Sequence, residues 1–144
     1  MKWITREHVK VDRVACPWLI KNFVDPEAEF LFVPAGGVQS RATELGAIPF
    51  DIEACELGHH GEDVSFNSIL KKYKLTEPGL ALLGEIVRAA DSHPVKPHPA
   101  GEGLRWVAHG FSALGLDDQE ILRREFIVYD ALYAECRKRV GKPS

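Results

Sequence analysis

The chain has 144 residues, 45% of them hydrophobic and 27% charged, the size and balance of one globular domain that buries a core without staples. Its apolar runs, such as Phe30 to Val33 and Phe126 to Val128, fall far short of a bilayer span, and a net charge of −3 offers no general attraction to nucleic acid or anionic lipid. Met1-Lys2-Trp3 opens directly into patterned sequence with no signal segment, so the cytoplasm is the expected compartment, and three scattered cysteines argue against a disulfide framework or a thiolate zinc site.

Val9, Val11 and Val14 within Trp3 to Val14 favour a strand running into a turn. Pro17 suits the first turn of a helix whose apolar side is Trp18, Leu19, Ile20, Phe23 and Val24, and Asp25-Pro26 ends it. Glu29 to Val33 reads as a buried strand closed by Pro34 and the Gly36-Gly37 turn. Arg41 to Leu45 is a short helix stopped by Gly46, and Ile48 to Ile52 is a third short strand. Ser65 is the expected N-cap of a helix over Phe66 to Tyr73, and Pro78 opens another that reaches about Asp91. His93 to Pro99 carries three prolines and is a loop, and Gly103 to Leu114 is helical. Asp117 or Asp118 caps the last and longest helix, with Leu122, Phe126, Tyr129 and Tyr133 as its apolar stripe. Strands come early and helices late. The expected class is therefore α+β, a small sheet packed against about five helices in a single domain over residues 1–144.

The densest run of ligand-type groups is Glu56-Leu57-Gly58-His59-His60-Gly61-Glu62-Asp63. Imidazole and carboxylate together suit Zn, Mn or Fe, and the Glu56-x-x-His59 spacing places both groups on one face of a helical turn. Asp91 falls in the last turn of its helix, where a negative charge opposes the dipole and wants a cation, either Arg88 or a metal. Asp130 interrupts an apolar run, and its neighbours one turn away are Phe126, Ile127, Tyr133 and Ala134. A buried carboxylate there requires a tertiary partner. The second lead is Asp12-Arg13-Val14-Ala15-Cys16-Pro17-Trp18. A helix starting at Pro17 sets Cys16 at its N-terminus, where dipole and Arg13 favour a thiolate, and Arg13 also suits an oxyanion; the competing reading is a core thiol. His8, His93, His98 and His109 read as structural or solvated.

Five segments resemble the ChrB-type chromate-resistance domain of bacteria: Asp12 to Ile20, Phe30 to Pro34, His59 with Gly61 before Ser65-Phe66, Ile86-Val87-Arg88 with Asp91, and Tyr129 to Tyr133. The resemblance implies a role in chromate resistance, as a chromate-responsive regulator or an auxiliary resistance protein. It also implies a regulatory or rhodanese-like partner domain. Met1 stands close to the first motif, so neither upstream part is expected in this chain, and nucleic-acid binding is not expected of it. His60 replaces an expected basic residue, and Val64 an expected Cys.

The candidate set is therefore Glu56, His59, Asp91 and Asp130 as ligands of a divalent metal (Mn, Fe or Zn), with Glu62 or water completing the shell, and Cys16 and Arg13 as catalytic groups. One reading is a metal-dependent redox, hydrolytic or oxyanion-handling enzyme. Another is a non-catalytic sensor of metal or chromate, and a third is a structural domain of paired charges. The partners to test are a small oxyanion such as chromate and a second copy of the chain; a membrane is not among them.

Overall fold

The structure is a computed structural model that describes residues 1–91 and 96–141. The first half contains β1 (Lys2–Arg6), α1 (Asp12–Phe23), β2 (Glu29–Val33), α2 (Val38–Leu45, entered through a 3₁₀ turn at Ala35–Gly37) and β3 (Ile48–Pro49). β1 pairs in parallel with both other strands, so the order is β2-β1-β3. Parallel neighbours need crossover connections, which α1 and α2 supply.

Alternation along β1 sends Trp3 into the main core with Leu19 and Ile20 of α1. Ile4 points to the opposite face, against Val38 and Ala42 of α2. Each face of the sheet thus carries a helix, and the strand order reverses at β1. In open parallel sheets, ligands bind at such a switch point, beyond the carboxyl ends of the strands.

Four helices follow: α3 (Ser65–Lys72), α4 (Leu80–Ala89), α5 (Pro99–Ala113) and α6 (Asp118–Gly141). The class is α+β, as the patterning predicts. Among the described residues no helix is long and apolar enough to cross a membrane.

The largest departure from the sequence reading is the start of α1. The amides of Val14 and Ala15 both donate to the Val11 carbonyl, at 3.1 and 2.9 Å, so the helix is already turning at Asp12 and Pro17 lies inside it. β1 is correspondingly short. α3 begins at Ser65 itself, and its N-cap Val64 is held through its amide by Asn67 Oδ1 at 3.0 Å. Pro99 belongs to α5 rather than to the preceding loop, at a position where its missing N–H is not needed. The His93 to Val95 part of that loop lies outside the described residues.

α5 meets α4 closely because residue 101 is glycine: a Cβ there would stand 2.6 Å from Ala89 Cβ. At α6, Asp117 caps the helix by accepting from Glu120 N at 2.9 Å. Asp118 instead accepts from His8 N (3.0 Å) and Val9 N (2.9 Å), tying α6 to the turn after β1.

Candidate functional site

The turn after β1 leads directly into α1, so Asp12 and Arg13 stand in the first helical turn beyond the strand ends. Past β3 the chain turns at Asp51, whose φ of 51° lies in the left-handed region that Asp tolerates better than most side chains. His59 follows on the next loop. Its Nε2 lies 3.2 Å from Asp12 Oδ2 and 3.2 Å from Asp51 Oδ1. One ligand atom from each of the three residues falls within 4.8 Å of the others.

The surrounding elements fix this geometry. At the start of α3, Ser65 N donates to Asp12 Oδ2 (3.0 Å) and Ser65 Oγ to Asp51 Oδ1 (2.7 Å), so the serine expected as a cap serves the cluster instead. Arg13 Nη1 and Arg6 Nη2 approach Asp51 Oδ2 at 3.3 and 3.4 Å. The cluster forms one wall of a cavity of about 170 Å³, shared with Lys10, Val11, Val87, Ala90, Asp91 and His109. A second opening of about 380 Å³ reaches Arg6, Asp51 and His59 from the side of Glu53 and Ala54. Lys10 and His109 have no hydrogen-bond or ion-pair partner among the described residues.

Burial pushes the Asp12 carboxyl up to about 6, against the opposing hydrogen bond from His59. Burial acts on Asp51 as well, but hydrogen bonds from His59 and Ser65 and the charge of Arg13 together hold it below its ordinary value. Hydrogen bonds to Asp12 and then Asp51 raise His59 to about 10. The imidazole therefore carries a proton between the two carboxyl groups.

His59 and Asp91 share this cavity, although Asp91 lies just past α4 and Arg88 turns away from it to Asp63, at 3.7 Å. Glu56 does not join them. Residues 51–63 form turns, not the helical turn its spacing suggested, and the path brings Gly58 so close that a Cβ there would lie 2.6 Å from the Ile52 carbonyl. The Glu56 carboxylate pairs with Lys72 at 2.8 Å. Glu62 is exposed.

Asp130 is also apart. It is exposed rather than buried and accepts from Trp18 Nε1 at 2.9 Å, in a separate hollow beside Tyr133 and Arg137. The buried unpaired carboxylate of α6 is Glu125, 0% exposed, with neither oxygen bonded among the described residues. Cys16 sits one turn inside α1, fully buried, its Sγ 3.9 Å from Asp12 Oδ1. Burial, reinforced by the charges of Asp12 and Asp51, pushes the thiol well up, so of the two readings the core thiol fits and the reactive thiolate does not. Arg13 is spent on Asp51 and on the His8 carbonyl (2.9 Å), which makes it a positioning group.

Three of the five recognised segments thus meet at the cavity through Asp12, Arg13, His59, Ser65, Val87 and Asp91, and a fourth braces it through Tyr129, whose hydroxyl donates to Val11 O at 3.3 Å. Residues 3–136 match the family described as ChrB, C-terminal domain. The chain belongs to that family. Protein ChrB of Cupriavidus metallidurans is 35% identical over 133 residues, covering 92% of this chain and 40% of that relative. The chain therefore spans 40% of the curated relative's length. No solved structure matches. In this ChrB C-terminal domain, sequence reasoning missed both aspartates of the cluster as ligands: Asp12 stood in a recognised motif without that role, and Asp51 was not singled out at all. It lay at the tail of a presumed strand, and its signal was an Asp directly after a short apolar run.

Proposed function

We propose that this domain binds a divalent transition metal through Asp12, Asp51 and His59 and uses it to hold a small oxyanion in the adjoining cavity. The observation that carries this reading is the position of His59 Nε2, 3.2 Å from a carboxylate oxygen of each aspartate. Two carboxylates and one imidazole suit Mn, Fe or Zn. A metal held there would supply a Lewis-acidic position opening on the cavity. Lys10 and His109 bring uncommitted donors to that space, and Asp91 is the carboxylate available to extend the donor set. The resemblance to chromate-resistance domains makes chromate the oxyanion to test.

Elemental analysis of tag-free protein tests the centre. About one equivalent of Mn, Fe or Zn per chain is expected, lost in Asp51→Asn and His59→Ala and retained in Glu56→Ala, whose side chain is paired elsewhere. A second reading also has an observation behind it: Arg6, Arg13 and protonated His59 already neutralise the aspartates as a closed ion-pair knot. That reading predicts no metal in any variant, even after reconstitution.

The two also differ in pH response. Binding must displace the proton that His59 holds up to about 10, so the logarithm of metal affinity should rise by about one per pH unit through the neutral range. Below about 6, where Asp12 is protonated as well, the slope should approach about two. A pH-independent affinity would remove His59 from the donor set.

A further inference from the structure

The sheet has two edges, and they differ. β3 is only two residues long and ends on Pro49, which has no N–H to offer another strand. β2 is five residues long and lies on the outside. At one end of its ladder Glu29 N donates to Met1 O, and at the other Glu7 N donates to Val33 O, both at 2.9 Å. The odd residues of β2 therefore aim their backbone groups at β1, and Phe30 and Phe32 aim theirs outward. Grooves of about 690 and 430 Å³ run along this outer edge on either side of Gln119, whose side-chain amide donates to Phe30 O.

We propose that β2 is a self-association edge, pairing antiparallel with β2 of a second copy about a two-fold axis through Leu31. In that register Phe30 lies opposite Phe32 of the second copy, and the two exchange both backbone hydrogen bonds, twice over by symmetry. The charges are self-complementary in the same register. Glu29 lies opposite Val33 of the second copy, and Glu29, Leu31 and Val33 share the face covered by α2. Arg41 of α2 lines the groove beside Val33, so each Glu29 meets the Arg41 of the other copy. Both side chains are exposed and have no ion-pair partner within their own chain among the described residues.

Gln119 shields this edge in the single chain. Its amide occupies the Phe30 carbonyl that Phe32 N–H of the second copy takes on pairing, so association must displace it. The pairing does not depend on what the Asp51 cluster binds.

Sedimentation equilibrium of the chain, from micromolar to near-millimolar concentration, tests the proposal. A monomer–dimer equilibrium is expected. Arg41→Glu sets like charges face to face and should weaken it about tenfold or more, while Glu29→Arg combined with Arg41→Glu should restore it. Gln119→Ala frees the Phe30 carbonyl and should tighten association. Circular dichroism of each variant checks that these exposed substitutions leave the fold intact. A monomer at every concentration overturns the proposal, as does a dimer indifferent to charge reversal.

Discussion

Glu125→Gln is expected to stabilise the domain by about 3 kcal/mol at neutral pH, by more in alkali, and by nothing measurable at about pH 4. Glu125 is wholly enclosed among Ile121, Leu122 and Tyr129 on the inner face of α6, and neither oxygen finds a donor among the described residues. Burial alone raises its carboxyl to about 8 from an ordinary 4.5. Between those values the folded chain keeps a proton that the unfolded chain has released. Stability therefore falls as pH rises through that window, by up to about 5 kcal/mol in all. An amide of the same shape has no charge to suppress, so the variant should lack this pH dependence. Glu125→Met also removes the unsatisfied oxygens and should exceed the glutamine variant at every pH. Urea unfolding of the three proteins at acid, neutral and alkaline pH decides the matter. Equal stabilities of wild type and Glu125→Gln in alkali would mean that the carboxylate has a partner in solution, such as an internal water.

Asp51→Ala should have the opposite and comparably large effect, a loss of about 3–5 kcal/mol near neutral pH. Asp51 is only 4% exposed, and its carboxylate joins Arg6, Arg13, His59 and Ser65. Truncation leaves the Arg13 guanidinium without its charge partner and the Ser65 hydroxyl without its acceptor. It also forces alanine into the left-handed backbone of that turn. Asp51→Asn tolerates that turn and keeps an acceptor for Ser65, so it should lose less stability while still losing the centre's charge. The carboxyl is held below its ordinary value in the fold, so its contribution is present above the unfolded carboxylate range and disappears as pH falls through the folded one. The gap between wild type and Asp51→Ala should narrow accordingly in acid. A gap that stays constant into strong acid would show that the carboxylate's charge does not hold this corner.

Hydrophobic patterning disclosed the order of strands and helices because period and turn residues are local signals. The start of α1 was harder to read, since Pro17 resembles a first-turn proline and nothing in the sequence shows that the Val11 carbonyl already accepts from two amides. That five-residue displacement carried Cys16 from a helix end into the core. At the site, residue chemistry pointed to His59, Asp91 and Arg13, but chemistry alone also selected Glu56 and Asp130, which the chain path carries elsewhere. Asp12 stood in a recognised motif without being read as a ligand. The neighbour test that singled out Asp130 returns Ile121, Leu122, Val128 and Tyr129 when applied to Glu125, so the truly buried carboxylate was legible, and it was passed over.

Asp12, Asp51, His59 and the supporting Ser65 all belong to the first 65 residues, while Asp91 and His109 reach the same cavity from the helical half. On the proposed metal reading, affinity for a central ion and choice of its companion would be encoded in separate stretches of the chain. On that reading, substitutions in α4 and α5 would change what the cavity accepts while leaving Asp12, Asp51 and His59 in place.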